Sequence, residues 1–154
     1  MSPNNNSAYG IIVIDDYPIM TLYFNDYTNT NIFYTEDLGM TWITFSNPAG
    51  TNSRGMDHDG SYFWISHVPN GIHRFQPGGV DDYMELSEIS GQISGLTVFP
   101  YEGDTGIAVT TQFSSNIYMY RWNGTDLVYL NYGTIPQSGV WSLGLTYNSL
   151  DGNF

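Results

Sequence analysis

The chain lacks cysteine and lysine altogether, and its cationic side chains are three arginines among 154 residues. Without cysteine it can form neither a disulfide framework nor a thiolate metal site, which fits a reducing cytosol or a secreted protein without bridges. The longest apolar run, GIIVI, is too short to cross a bilayer, and the first ten residues have neither the basic region nor the apolar core of a signal peptide. The compartment is therefore open: the chain is cytosolic, or its export signal lies outside it.

Because lysine is absent and arginine is rare, the chain carries little positive charge. Fifteen carboxylates against three arginines give a formal net charge of -12 at pH 7. A surface with this excess of negative charge repels phosphate backbones and anionic membranes. We therefore expect no nucleic-acid partner.

Apolar and aromatic residues are abundant, at 41% and 16% of the chain, while only 12% of residues carry charge. This composition excludes a disordered chain, because enough apolar surface is present to build a core. Strand formers are interrupted by 17 glycines and 7 prolines, and no stretch places apolar residues at helical spacing over three turns. The sequence therefore predicts an all-β protein.

A glycine that opens a short apolar strand recurs along the chain, at Gly10, Gly55, Gly95 and Gly144. The spacings are 45, 40 and 49 residues. Each interval holds four candidate strands separated by turns rich in Asp, Gly or Pro. Four strands in this length are typical of one β-propeller blade, so we predict a partial propeller of four-stranded antiparallel blades.

The repeat divides one partial propeller domain, residues 1–154, into blade-like units over 10–54, 55–94 and 95–143, with the start of a further unit over 144–154. Propellers close with typically four to eight blades, because closure removes the exposed sheet edges. Three blades cannot form a ring. We therefore expect the remaining blades to come from the rest of a longer chain or from further copies of this one.

The third strand of each unit can be overlaid on the others without gaps. The predicted third strands are NIFYT (31–35), GIHRF (71–75) and NIYMYRW (116–122). The overlay places Asp37, Gln76 and Asn123 at one equivalent turn position. The fourth strand of the second unit is predicted over 83–89, YMELSEI.

The turn that ends the third strand of the first unit has its own motif, TEDLGMTW, over residues 35–42. An Asp37 carboxylate can accept hydrogen bonds from amides further along the turn, Gly39 can adopt positive φ, and Trp42 can restart a strand with its ring packed inward. With Thr35, these residues fill every defining position of [ST]-x-D-x-G-x-[TS]-W. The stretch resembles the Asp box, or BNR repeat, of sialidase-like β-propellers. In that family the motif lies at the blade periphery, so the resemblance implies a structural role and not a catalytic one.

The same family includes sialidases, which hold the substrate carboxylate with three arginines, and this chain has three. Arg74 and Arg121 occupy the same position in their units, however, which suits a recurrent strand residue better than two arms of a clamp. No catalytic residue of that family can be transferred to this chain by position. We instead regard Arg74 and Arg121, with Trp64 and Trp122, as candidate ligand-binding residues, because aromatic rings stack on sugar faces.

Other polar groups have a plainer interpretation. Asp57 and Asp59 alternate before a glycine as acids do in calcium loops, but Asp-Gly between two strands predicts a tight hairpin, and we expect no metal or other cofactor. His67 and His73 could meet across a hairpin, without the partners of a catalytic site. The acids at 81–82 are predicted to be solvated turn residues.

These observations predict a non-catalytic β-propeller module for binding a glycan or protein ligand, or for scaffolding, within a larger secreted or cell-surface protein. We expect no enzymatic activity from this chain by itself. The alternative is that it forms part of a propeller enzyme, such as a sialidase-like glycoside hydrolase or a propeller lyase.

Overall fold

The computed structural model of the protein describes residues 8–16, 18–135 and 144–147, and every regular element in these ranges is a β-strand. No helix long and apolar enough to cross a membrane was found within them. Sheet 1 contains β1 (Ala8–Asp16), β2 (Ile19–Asp26), β3 (Asn31–Thr35) and β4 (Ile43–Ser46). Sheet 2 contains β5 (Met56–His58), β6 (Phe63–His67), β7 (Gly71–Phe75) and β8 (Asp81–Glu85). Sheet 3 contains β9 (Ile93–Tyr101), β10 (Asp104–Thr111), β11 (Asn116–Trp122) and β12 (Leu127–Thr134).

Each sheet is an antiparallel meander in which consecutive strands pair, in the orders β1-β2-β3-β4, β5-β6-β7-β8 and β9-β10-β11-β12. The prediction of an all-β chain built from four-stranded antiparallel sheets is therefore confirmed. The predicted third strands coincide with β3, β7 and β11. The chain outside the described residues includes 136–143 of the predicted third unit and 148–154 of the predicted further unit.

Sheet 2 is covered on both faces, because alternate residues of a strand point to opposite sides. On one face, Phe63 and Phe75 pack with residues of sheet 1 in a core that includes Ile12 and Ile32. On the other face, Trp64 and Ile72 belong to a second core, shared with sheet 3. The second core also contains residues of β9, β10 and β11, which are Leu96, Val98, Ile107, Val109 and Tyr120. The three sheets therefore stack in chain order, face to face.

The recurrent glycines lie where successive sheets approach most closely. A Cβ atom added to Gly10 would lie 2.8 Å from the carbonyl oxygen of Arg54, the residue before the next recurrent glycine. A Cβ atom on Gly55 would clash with the backbone nitrogen of Leu96 and lie 2.8 Å from the carbonyl carbon of Gly95. On Gly95 it would lie 3.1 Å from the backbone of residues 144 and 145. The repeat seen in the sequence thus marks a contact between backbones that leaves no room for a side chain.

The fourth strand of sheet 2 begins earlier than the sequence predicts, at residue 81 instead of 83, and ends at 85 instead of 89. The reason lies in cross-strand contacts of two acids. Asp81 contacts Nδ1 of His73 at 2.7 Å, and Asp82 contacts Nη1 of Arg74 at 2.9 Å. The prediction that these two acids lie in a turn is therefore wrong, because both belong to β8 and have partners on β7; their side chains are still 41% and 39% exposed, as the prediction of solvated acids requires.

The gapless overlay of the third strands also needs a correction of one residue in sheet 1. The third strands end at Thr35, Phe75 and Trp122. Gln76 and Asn123 follow their strands directly, whereas Asp37 is the second residue of its turn. The turn after β3 is longer than those after β7 and β11, so its acid has no equivalent in the other two sheets.

Candidate functional site

The turn between β3 and β4 is held by two side chains at its ends. The hydroxyl of Thr35 accepts a hydrogen bond from the amide of Gly39 at 2.9 Å and donates to Oδ1 of Asp37 at 2.7 Å. Asp37 accepts from the amide of Thr41 at 2.8 Å and from its hydroxyl at 2.5 Å. Leu38 and Gly39 both have positive φ, 58° and 90°. All of these hydrogen bonds lie within the turn. The carboxylate of Asp37 therefore stabilises the turn itself.

The protonation state of Asp37 follows from these contacts. Its pKa is lowered from 3.8 to about 2, first by the hydroxyl of Thr41, then by the backbone amide of Thr41 and by the hydroxyl of Thr35. Donors that contact a carboxylate stabilise its ionised form. Asp37 therefore remains an anion at neutral and mildly acidic pH and has no proton to donate.

Trp42 closes the same turn against sheet 1. Its ring makes an edge contact with Phe24, with 5.2 Å between ring centroids. A Cβ on Gly39 would lie 3.6 Å from the Trp42 ring, in ordinary van der Waals contact. The turn and the tryptophan thus form one packed corner at the edge of sheet 1.

Three of the four candidate ligand-binding residues lie together between sheets 2 and 3. The guanidinium of Arg74 lies 3.3 Å from the ring centroid of Tyr62, 5.2 Å from that of Trp122 and 5.9 Å from that of Trp64. Asp82 pairs with the same guanidinium. Trp64 is completely buried. The cluster joins the two sheets by cation-π contacts, which become stronger when water is excluded.

Asp59 fixes the hairpin below this cluster. Its Oδ1 accepts from the amides of Ser61 and Tyr62 at 2.9 and 2.8 Å, and its Oδ2 accepts from the indole of Trp64 at 2.8 Å. Gly60 has a φ of 98°. The Asp-Gly pair therefore forms a turn between β5 and β6, and the carboxylate also satisfies the donor of a buried tryptophan.

Asp57, the other acid considered as a calcium ligand, joins the innermost strands of sheets 2 and 3. Its Oδ2 accepts from the hydroxyl of Thr97 at 2.7 Å and from the amide of Val98 at 2.8 Å, and its Oδ1 accepts from the amide of His58. All four carboxylate oxygens of Asp57 and Asp59 thus have protein donors. Within the described residues, no group of three or more His, Asp or Glu side chains is placed to hold a metal ion.

Arg121, the fourth candidate, lies apart from the other three. It neighbours Trp122 in β11 and so points to the opposite face of sheet 3. Its Nε lies 3.4 Å from Oδ2 of Asp104, and its Nη1 lies 3.9 Å from Oε2 of Glu102. Arg121 therefore belongs to an acidic corner of sheet 3.

The three arginines have no contact residue in common. Arg54 contacts Tyr9, Tyr27 and Gln92, whereas Arg74 and Arg121 lie among the groups given above. A clamp for one substrate carboxylate requires guanidiniums that converge. The structure does not bring these three together, which argues against the sialidase alternative.

His67 and His73 do meet, with 3.4 Å between Nδ1 of His67 and Nε2 of His73. Nδ1 of His73 contacts Asp81, and the ring of Tyr83 lies 5.4 and 5.1 Å from those of His67 and His73. The pKa of His67 is lowered from 6.5, first by burial and then by the neighbouring His73. Sequence reasoning paired the histidines but missed Asp81 and Tyr83. Their spacing of two along one strand was the available signal, since it places both on the same face.

The surface that sequence reasoning missed is the outer face of sheet 1, the side that does not contact sheet 2. Ile11, Val13 and Met20 lie on it with exposed fractions of 65%, 54% and 46%, and Leu38 of the adjoining turn is 84% exposed. A groove of about 230 Å³ crosses this face. The residues that line it are Val13, Met20, Leu22, Thr35, Leu38, Gly39 and Trp42. None of them carries a charge, although the chain as a whole is strongly acidic.

Comparison with known proteins supports the architecture. No protein-family model matches the chain, and no curated protein matches it, so the Asp-box resemblance depends on residues 35–42 alone. A crystal structure of BBS1N in complex with ARL6DN, soaked with mercury, is similar in fold, with a TM-score of 0.54 and 10% sequence identity. The similarity covers 83% of this chain and 40% of that chain.

BBS1N is a β-propeller. At this sequence identity the similarity concerns the fold, and it agrees with the stacking of four-stranded sheets described above. The described residues of the chain therefore have the fold of a β-propeller segment with three four-stranded antiparallel blades. Sheets 1, 2 and 3 are its blades.

Proposed function

We propose that the chain is a non-catalytic scaffolding module of a larger secreted or cell-surface β-propeller protein, and that the assembled propeller binds a protein. The observation that carries the proposal is the apolar outer face of sheet 1. Its occupant, on this proposal, is a further blade of the same larger protein.

The outer face of sheet 1 occupies the position that neighbouring sheets cover elsewhere in the molecule. Leu22 pairs with the last residue of β3, as Phe63 pairs with the last residue of β7. Leu22 and Phe24 therefore hold the positions in sheet 1 that Phe63 and Ile65 hold in sheet 2. Phe24 is already buried against Phe33 and Trp42 of its own sheet, so the uncovered part of the face lies at Val13, Met20 and Leu22. Phe63 and Ile65 are covered by sheet 1. A blade packed on the outer face of sheet 1 would repeat this contact.

The chemistry of the face also fits a protein surface. A contiguous exposed apolar patch marks an interaction site more often than a random surface does, and the buried centre of a protein interface is depleted of charged residues. The groove over Val13 and Met20 is lined without a single charged side chain.

The candidate aromatic residues pack within the fold and give little support to a glycan ligand. Trp64 is completely buried, and the ring of Trp122 is occupied by Arg74 and Trp64. Buried in this way, Trp64 offers no free face to a sugar. BBS1N was crystallised with a protein partner, ARL6DN, and we extend the expectation of a protein partner to this chain as part of the proposal.

The reading frame around the coding sequence provides the first test. We expect it to encode further units of four strands that each begin with a glycine, at spacings similar to those of the three units in this chain. The longer product can then be expressed beside the 154-residue chain.

The substitution Met20→Glu tests whether the outer face of sheet 1 is covered in the longer protein and exposed in the isolated chain. In the isolated chain the change should alter the free energy of unfolding by less than about 0.5 kcal/mol, because Met20 is half exposed. In the longer protein it should cost about 3 kcal/mol or more, because an unpaired charge is buried. Tyr132→Glu, at a 58% exposed residue of β12, is the matched control. A reading frame without such units, or an equal effect of Met20→Glu in both proteins, would contradict the proposal.

A further inference from the structure

Arg54 lies just before the recurrent Gly55, at the end of the blades opposite to the Asp37 turn. Its guanidinium contacts residues from two other regions of the fold. The charge lies 5.7 Å from the ring centroid of Tyr9 in β1 and 5.2 Å from that of Tyr27, which follows β2. Its Nη2 donates to Oε1 of Gln92, the residue before β9, at 3.2 Å. The side chain thus reaches blades 1 and 3 from blade 2.

The guanidinium is buried without sufficient partners. Arg54 is only 6% exposed. Its Nε and Nη1 are buried and have no hydrogen-bond partner, and it makes no ion pair within the part of the chain that the structure describes. Nε of Arg74 and of Arg121 also lacks a hydrogen bond, but each of those guanidiniums has a carboxylate oxygen nearby, at 2.9 and 3.4 Å respectively.

This arrangement is unusual for an arginine. The guanidinium does not lose its proton in proteins, so burial cannot be relieved by neutralisation. A buried charge normally has an ionic partner, and a buried donor without an acceptor is destabilising. The chain has fifteen carboxylates, yet its most buried arginine pairs with none of those described. Two tyrosine rings stabilise the cation but accept no conventional hydrogen bond from Nε or Nη1.

We propose that Arg54 anchors a binding site for a ligand that carries a single carboxylate. The missing partners of Nε and Nη1 are hydrogen-bond acceptors. A carboxylate accepts along one edge of a guanidinium, from Nη1 with Nη2 or from Nε with Nη2, and so supplies one of the two missing acceptors together with a negative charge. The net charge of -12 opposes multiply charged anions such as phosphate more strongly than a monoanion. Tyr9 is 39% exposed and its ring lies 5.7 Å from the guanidinium, so a ligand that approaches Arg54 from the surface meets this ring first. This site is independent of the outer face of sheet 1.

The low arginine count makes the test direct. With three arginines in the chain, the Nε–Hε signals in a nitrogen-proton correlation spectrum can be assigned by removing Arg74 and Arg121 in turn with Arg74→Gln and Arg121→Gln. Sodium acetate is titrated into the wild-type chain while sodium chloride keeps the ionic strength constant. We expect the signal of Arg54 to move along a saturating curve and that of Arg121 to stay in place.

Thermal unfolding provides a second readout. Acetate should raise the melting temperature of the wild type more than that of Arg54→Gln, while Arg121→Gln should respond as the wild type does, because binding to the folded state alone stabilises it. If Arg54→Gln does not fold, the spectrum of the wild type decides alone. An Arg54 signal that does not respond to acetate overturns the proposal. A larger response to phosphate than to acetate at equal ionic strength overturns the assignment to a carboxylate.

Discussion

Two charged residues of this chain have opposite surroundings. The carboxylate of Asp37 accepts hydrogen bonds from Thr35 and Thr41 within one turn, whereas the guanidinium of Arg54 retains two nitrogens without an acceptor. The partners of Asp37 lie within four residues of it in the sequence, so its structural role in the turn could be inferred from the motif. The environment of Arg54 is built from segments far apart in the chain, and no local pattern predicts it.

At the residue scale, the low pKa of Asp37 predicts sensitivity to acid. The folded pKa of about 2 lies below the ordinary value of 3.8, so the unfolded chain binds the proton more readily than the folded chain does. The stabilisation by Asp37 is therefore complete above about pH 5 and is lost as the pH falls towards 2. Urea unfolding from pH 6 to pH 2 should show a smaller decline for Asp37→Asn than for the wild type. Glu36→Gln, at the exposed neighbouring acid, should decline like the wild type, and a similar decline in all three proteins would refute the prediction.

His67 should cause a second pH dependence, in a different range. Its folded pKa lies below 6.5 because the ring is buried beside His73, so the unfolded chain binds the proton first. The free energy of unfolding should therefore decrease as the pH falls through 6.5 towards the lowered value. His67→Gln should remove this part of the slope, measured by urea unfolding between pH 7.5 and pH 5. His58→Gln should retain it, since His58 lies outside the cluster of His67, His73, Asp81 and Tyr83. If the free energy of unfolding of His67→Gln falls with pH as steeply as that of the wild type, His67 is not the source of this pH dependence.

At the scale of elements, local patterns predict strands well and their partners poorly. NIFYT and GIHRF were assigned to the residues that form β3 and β7, because alternation and turn residues are local signals. The sequence predicts that the fourth strand of sheet 2 begins two residues too late, because Asp81 and Asp82 are typical turn residues. Only their cross-strand partners, His73 and Arg74, explain why these residues extend the strand.

The recurrent glycines illustrate the same limit. Their spacing was visible in the sequence, but its cause was not, because the contact joins backbones about 40 residues apart. The outer face of sheet 1 was missed for a related reason. Ile11 and Val13 alternate with Ile12 and Ile14 along β1, and both sets are apolar, so sequence alone does not tell which set faces sheet 2.

A substitution directly before β5 tests the close contact between sheets. Gly55→Ala places a Cβ against the backbone of Leu96 and should destabilise the protein by about 1–3 kcal/mol, as overpacking does in a dense core. Gly133→Ala is the matched control, because no atom lies within 4 Å of the added Cβ; it should change the free energy of unfolding by less than about 0.5 kcal/mol. Both values can be read from denaturant unfolding. Equal stability of the two variants would mean that the sheets can separate at no cost.

At the scale of the whole molecule, the three blades form a stack with two unlike ends. At one end, the outer face of sheet 1 is apolar and exposed. At the other, residues 144 and 145 lie against Gly95, and the ring of Tyr147 lies 5.4 Å from that of Phe99 on the far side of sheet 3. The two ends of the stack therefore present different surfaces.

The glycine contact has a geometrical consequence for the size of the ring. The same backbone contact occurs at Gly10, Gly55 and Gly95. Because it can repeat from one blade to the next, the number of blades in a closed ring is set by the angle between neighbouring blades. Bare backbone at these positions lets neighbouring sheets approach closely there, and in a closed ring a closer approach at the narrow edge goes with a wider angle between blades and with fewer blades. Bulkier residues at these positions would hold the narrow edges apart and favour a circle with more members.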